Sequence, residues 1–131
     1  MSDQLQTFAK GYVASKRYEV VRQLGSGGMG SVYEAFDRHI EKRVAIKFLD
    51  PMLTDNKEFV KRFKREAVAA AGLHHENICG VTDHGVTDDK VPFLVMEYLE
   101  GEPLTELFNR SGRIEPHVAV EIMLQVLEAL G

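Results

Sequence analysis

A chain of 131 residues has the length of one domain, enough to bury about two-thirds of its unfolded surface around a core. Its 44% hydrophobic and 27% charged residues describe a globular chain, and a formal net charge of −4 excludes a basic surface built for nucleic acid. A single cysteine excludes an internal disulfide, and neither a membrane-length apolar run nor an apolar secretory core is present, so a cytoplasmic chain without a membrane segment is the simplest expectation.

Residues 1–17 are polar and weakly patterned and read as a leader that packs loosely. Tyr18 to Leu24 alternates as a half-buried strand does, with Tyr18, Val20 and Leu24 on one side. Four glycines within six residues follow: Gly25, Gly27, Gly28 and Gly30. Val32 to Phe36 suits a strand by its β-branched and aromatic content, although Val32, Ala35, Phe36 and Ile40 also suit a helix. A polar turn over 37–43 leads to Val44-Ala45-Ile46-Lys47-Phe48-Leu49, a strand that Asp50-Pro51 ends.

The spacing of Asp55 and Glu58 resembles a capping box and opens a helix running to about Leu73. The cations between Lys57 and Arg65 form its solvated face. Steps of 100° place Phe59, Phe63, Ala70 and Leu73 in one stripe, with Glu66 in its middle, where a carboxylate is out of place. Ile78 to Val81 reads as a short strand, Asp83 to Lys90 as a turn-rich loop and Pro92 to Leu99 as an apolar strand. After a linker over 100–103, helices are expected over Leu104 to about Asn109 and His117 to Leu130. The second is apolar nearly all round apart from a strip of His117, Glu121, Gln125 and Glu128. Such a helix belongs inside a larger body or against a partner, and self-association through 117–130 is expected of the isolated chain.

Gly25-x-Gly27-x-x-Gly30 taken alone supports a mobile turn, a dinucleotide-binding loop or a phosphate-covering flap. Asp50, twenty residues after Gly30, favours the second by standing where a ribose-binding acid would. Against it, the strand before the loop carries charges and the strand after it would have to bury Lys47. The third reading places backbone N–H groups over a nucleotide's phosphates.

Gly25-x-Gly27-x-x-Gly30-x-Val32 followed by Val44-Ala45-Ile46-Lys47 resembles the ATP-binding lobe of protein kinases, and GSGGMGSVYEAFD resembles the bacterial Ser/Thr kinases of eukaryotic type. His75-Glu76-Asn77-Ile78 and Val95-Met96-Glu97-Tyr98-Leu99 extend the similarity over about 18–131. The resemblance implies an α+β fold: a small lobe of a five-stranded antiparallel sheet and one packed helix over 18–99, then a hinge exit and the first helices of a large lobe over 100–131. It implies ATP as the bound nucleotide, covered by Gly25, Ser26, Gly27, Gly28, Met29 and Gly30. Leu24, Val32 and Ala45 would close over the adenine, Met96 would stand behind it, and Glu97 and Leu99 would present backbone groups to its edge. Lys47 would touch the α- and β-phosphates and pair with Glu66, which explains the misplaced carboxylate. Its plainer alternatives are solvent or Arg62. An unpartnered buried charge costs roughly 3–5 kcal/mol, so both charges are expected to have partners.

Asp83-His84-Gly85 imitates the Asp-Phe-Gly of this family but precedes the hinge strand, so an ordinary turn is expected. His74-His75 lacks further ligands at a metal-binding spacing, and Cys79 has no evident base. Neither His-Arg-Asp nor Asp-Phe-Gly occurs in the 131 residues. The resemblance therefore implies an ATP grip without the groups that hold magnesium and accept the substrate proton. No turnover is expected of this chain alone, no metal site is assigned within it, and a protein substrate is expected only of a whole domain. A catalytically dead binding module and a dinucleotide-dependent oxidoreductase are the competing readings.

Overall fold

The computed structural model describes residues 8–131. The two-residue β1 (Val13–Ala14) leads into three long strands, β2 (Tyr18–Gly27), β3 (Gly30–Asp37) and β4 (Lys42–Leu49). β5 (Val81–Val86) and β6 (Pro92–Glu97) complete an antiparallel sheet of order β1-β2-β3-β4-β6-β5. The helices are α1 (Lys57–Ala71), α2 (Leu104–Ser111) and α3 (Pro116–Leu130). The α+β architecture is as expected, with six strands instead of five. The added strand is β1, in the segment read as a loose leader.

That segment differs from the expectation over its described part. Phe8 is 6% exposed and its ring stacks on Phe48 at 3.7 Å, with Tyr12 and Tyr33 edge-on around the pair. Aromatic rings bury large apolar areas, so these contacts hold 8–14 on the sheet more firmly than local patterning suggests. Arg17 reaches Asp37 through two 2.9 Å hydrogen bonds, fixing the entry to β2.

Side chains alternate across a strand, and β4 shows both results. Val44, Ile46 and Phe48 enter a core shared with Tyr18, Val20, Tyr33, Phe93 and Val95. Ala45, Lys47 and Leu49 point the other way, where Leu49 and Leu94 meet Phe63 and Ala67 of α1. The sheet curls enough for Tyr18 of β2 to donate a 2.5 Å hydrogen bond to Asp83 of the edge strand β5, across the three strands between them. Burial first, and then this bond to a carboxylate, push the Tyr18 phenol well above its ordinary pKa.

The same contact corrects the reading of 78–90. A strand runs from Val81 to Val86 where a loop was expected, and the turn is confined to 87–91, closed by Thr87 and Val91. A register irregularity separates Val81, which packs with the α1 cluster, from Asp83 and Gly85, which turn to the opposite face of the sheet. Asp83 is satisfied by Tyr18, and Gly85 leaves space for the Phe93 ring, 2.9 Å from where a Cβ would stand.

α1 opens at Asn56, whose Oδ1 accepts from the backbone N–H groups of Glu58 and Phe59, and not at Asp55. Its buried residues are Phe63 and Ala67, with Val60 packed beside them, and Leu73 is exposed. The apolar arc is thus turned towards Ala67, which moves Glu66 from its middle to its edge. α3 carries the expected apolar surface, with Met123, Leu124, Leu127 and Leu130 exposed. No helix among the described residues is long and apolar enough to cross a membrane.

Candidate functional site

The glycine-rich stretch is a hairpin tip. Gly27 pairs with Gly30, leaving a two-residue turn in which Gly28 has φ +56, the left-handed conformation that suits glycine. Its glycines serve different purposes. A Cβ on Gly30 would lie 2.1 Å from the Phe48 carbonyl oxygen, so the close approach of β3 to β4 demands that glycine. A Cβ on Gly25, Gly27 or Gly28 meets nothing within 4 Å, so these three border open space. Ser26 is exposed between them. Met29 packs towards the α1 cluster, and its carbonyl accepts the Asp50 N–H at 2.6 Å.

Asp50 has its own task. Its carboxylate accepts the Met52 N–H at 2.9 Å and caps the short 3-10 turn Pro51–Leu53. With a hairpin in place of a strand-to-helix crossover, the dinucleotide-binding arrangement is absent.

Cross-strand register assembles most of the expected residues on one face. Gly25 is opposite Val32, Val32 opposite Lys47, and Lys47 opposite Leu94. In the next row Arg22, Glu34, Ala45 and Met96 stand in line. Val32, Lys47 and Met96 are half-buried and Ala45 is 7% exposed. Leu24 falls in the irregularity between Gln23 and Gly25, unpaired and 40% exposed at the open edge of this face. The result is a shallow apolar wall, one cation within it and a glycine hairpin at its end.

Lys47 and Glu66 are not joined. Glu66 bonds Arg62 Nε at 3.3 Å, one helical turn back, and its side chain is 57% exposed. Among the described residues Lys47 forms no ion pair. The turned apolar arc of α1 is the reason: at the arc's edge, Glu66 lies nearer Arg62 than the sheet.

At the other end of the wall, Glu97 and Leu99 leave β6. The Glu97 carboxylate accepts the Gly80 N–H at 2.6 Å, and its N–H donates to the Gly80 carbonyl at 2.9 Å. Its carbonyl faces the Cys79 thiol at 3.8 Å, and burial pushes that thiol's pKa up, with a smaller push from the Glu97 charge. Leu99 is 60% exposed. Asn77 Nδ2 donates to the Gln125 carbonyl of α3 at 2.9 Å, and His75 Nδ1 accepts the Asn77 N–H, giving His75 a structural task. Among the described residues no three His, Cys, Asp or Glu side chains gather as a metal site.

Sequence reasoning missed the charged cluster around Tyr98. Arg22 Nε donates to buried Glu34 at 2.8 Å while its Nη2 donates to the Tyr98 hydroxyl at 3.2 Å. The Arg43 guanidinium lies 4.6 Å from the centre of the Tyr98 ring and bonds Glu100 at 3.0 Å. A signal existed: Glu34 is two residues from Val32, and alternation turns both to one face.

Comparison with known proteins matches the protein kinase domain over residues 18–131. Serine/threonine-protein kinase PrkC of Bacillus subtilis is 41% identical over 116 residues, covering 88% of this chain and 18% of that protein. Serine/threonine-protein kinase PknA of Mycobacterium tuberculosis is 37% identical over 124 residues, covering 92% of this chain and 29% of that protein. The crystal structure of the Mycobacterium tuberculosis PknI kinase domain superimposes with TM-score 0.76 at 33% identity, covering 93% of this chain and 49% of that one. The 131 residues thus span under a third of these curated relatives and about half of that kinase domain.

Proposed function

The chain belongs to the protein kinase domain family, and from that premise we propose that its Lys47 face is the small-lobe wall of an ATP cleft, in a protein that phosphorylates Ser or Thr of other proteins. One observation carries the reading. Lys47 stands in register with Val32 and Leu94, beside Ala45 and Met96, at the foot of a hairpin whose outer glycines border open space. The small lobe is assigned to 18–99 and the start of the large lobe to 100–131.

The residues divide the work by position. Backbone N–H groups of 25–30 lie close enough to phosphates only because no side chain intervenes at Gly25, Gly27 and Gly28. The Lys47 ammonium supplies a point charge to the same phosphates. Val32 and Ala45 provide an apolar surface for the adenine ring, bounded by Met96. The Glu97 carbonyl and Leu99 N–H meet its polar edge. Glu66 becomes the partner of Lys47 once α1 turns and the Arg62 bond is given up. ATP, when bound, supplies the phosphoryl group and ADP as leaving group. Magnesium is expected only together with the His-Arg-Asp and Asp-Phe-Gly motifs of a large lobe, which these 131 residues do not contain.

The exposed apolar face of α3 makes self-association of the isolated 131 residues the expected behaviour. A cytoplasmic location fits the lone cysteine. The test is Lys47→Met in the full-length protein, which should lower phosphoryl transfer from ATP about 100-fold or more while leaving the melting temperature nearly unchanged. Undiminished transfer would refute the assignment.

A further inference from the structure

Tyr98 follows β6, where the chain leaves the sheet, and it is held from two sides by groups on two different strands. From β2, Arg22 reaches its hydroxyl at 3.2 Å, and from β4, Arg43 lies over its ring at 4.6 Å. Each cation has a carboxylate partner of its own. Arg22 is anchored at 2.8 Å by Glu34, whose side chain is 9% exposed, and Arg43 by Glu100 at 3.0 Å. The register places Glu34 beside Ala45 and Met96, and Arg43 one row further along the same face. The cluster therefore closes the hinge end of the wall as the glycine hairpin closes the other.

We infer that Arg22, Glu34 and Arg43 are positioning residues for the nucleotide's base, acting through Tyr98 to fix the backbone of 97–99 at the distance from β2 and β4 that an adenine ring requires. This rests on the ATP-cleft reading. The physical case is one of connectivity. Tyr98 lies between Glu97 and Leu99, whose backbone groups meet the adenine edge, so a side chain tethered at its hydroxyl and its ring restrains the backbone that joins them. Opposed charges on adjacent strands, one nearly buried, hold that side chain better than apolar contact would, because their bonds are directional. Recognition of a base edge loses strength when the backbone presenting it is mobile, since ordering it must then accompany binding. The 6-amino group separates adenine from guanine at that edge, so a loosened hinge should cost selectivity as well as affinity.

The test uses the full-length protein with Arg22→Gln, Tyr98→Phe and the double variant, each titrated with ATP and with GTP. Each single change is expected to raise the KM for ATP about three- to tenfold and to lower the preference for ATP over GTP, with kcat altered less than about twofold. The double variant should be no worse than the poorer single one, because both break the same chain of contacts. Arg43→Lys, which keeps a cation near the ring and Glu100, should retain most of the affinity. A role in stability alone would lower the melting temperature and leave KM and the nucleotide preference in place, and that result overturns the inference. Additive effects in the double variant overturn it too. Lys47→Met separates the two levels: if it leaves turnover intact, the cleft reading fails and the clamp with it, whereas its loss beside unchanged Arg22 and Tyr98 variants removes the clamp alone.

Discussion

The two faces of the sheet are built from the same strands and have opposite characters. On the far face Val44, Ile46 and Phe48 join Tyr18, Phe93 and the ring of Phe8 in a closed core. On the near face Ala45 and Lys47 leave a wall that α1 covers on its β5–β6 side, where Leu94 meets Phe63 and Ala67. Period-two alternation produces both from one stretch, VAIKFL. Changes on the far face should therefore act through stability, and changes on the near face through nucleotide binding.

Lys47→Met, with its expected loss of about 100-fold or more in transfer, is the largest effect and belongs to the near face. Phe8→Ala is its counterpart on the far face. Removing a ring that stacks at 3.7 Å in a buried site should cost about 3 kcal/mol in urea denaturation. A variant as stable as the parent would show that 8–14 is the loose leader its composition suggested.

The glycine hairpin sharpens the contrast within a few residues. Gly30→Ala would force a Cβ against the Phe48 carbonyl and should destabilise by about 1–3 kcal/mol. Gly25→Ala meets no neighbour, so stability should change by less than about 0.5 kcal/mol while ATP affinity falls about tenfold. If both acted on stability alone, the outer glycines would have no ligand to make room for.

The smallest expected effect is a pH dependence confined to the far side. The hydrogen bonds from Arg17, first among the causes, hold Asp37 below its ordinary value of 3.8. A carboxyl depressed on folding contributes stability that is fully present above the unfolded value and is lost as pH falls through the folded one. Stability should therefore decline below about pH 3.8, and Arg17→Gln should remove that part of the acid sensitivity. An identical acid limb in the variant would break the link.

Much of the near face was legible in the sequence because its signals are local: the glycine spacing, the apolar run with one lysine and the strand PFLVMEYL. What was not legible depends on contacts between distant residues. Asp83 and Gly85 look like turn residues until Tyr18 and Phe93 arrive from β2 and β6. Phe8 belongs to a core only because Phe48 is presented to it forty residues later. Glu66 was located correctly on α1, and in this structure it takes the plainer of its expected partners, Arg62, since the apolar arc turns towards Ala67.

β4 carries two lysines that alternation sends to opposite faces, Lys42 and Lys47. An acyl-phosphate derivative of ATP, which acylates whichever lysine amine lies beside the phosphates, can tell them apart in the full-length protein. Labelling of Lys47 but not Lys42, abolished by excess ATP, is the result the cleft assignment predicts. Labelling spread over both, or labelling of Lys47 that ATP leaves untouched, would contradict it.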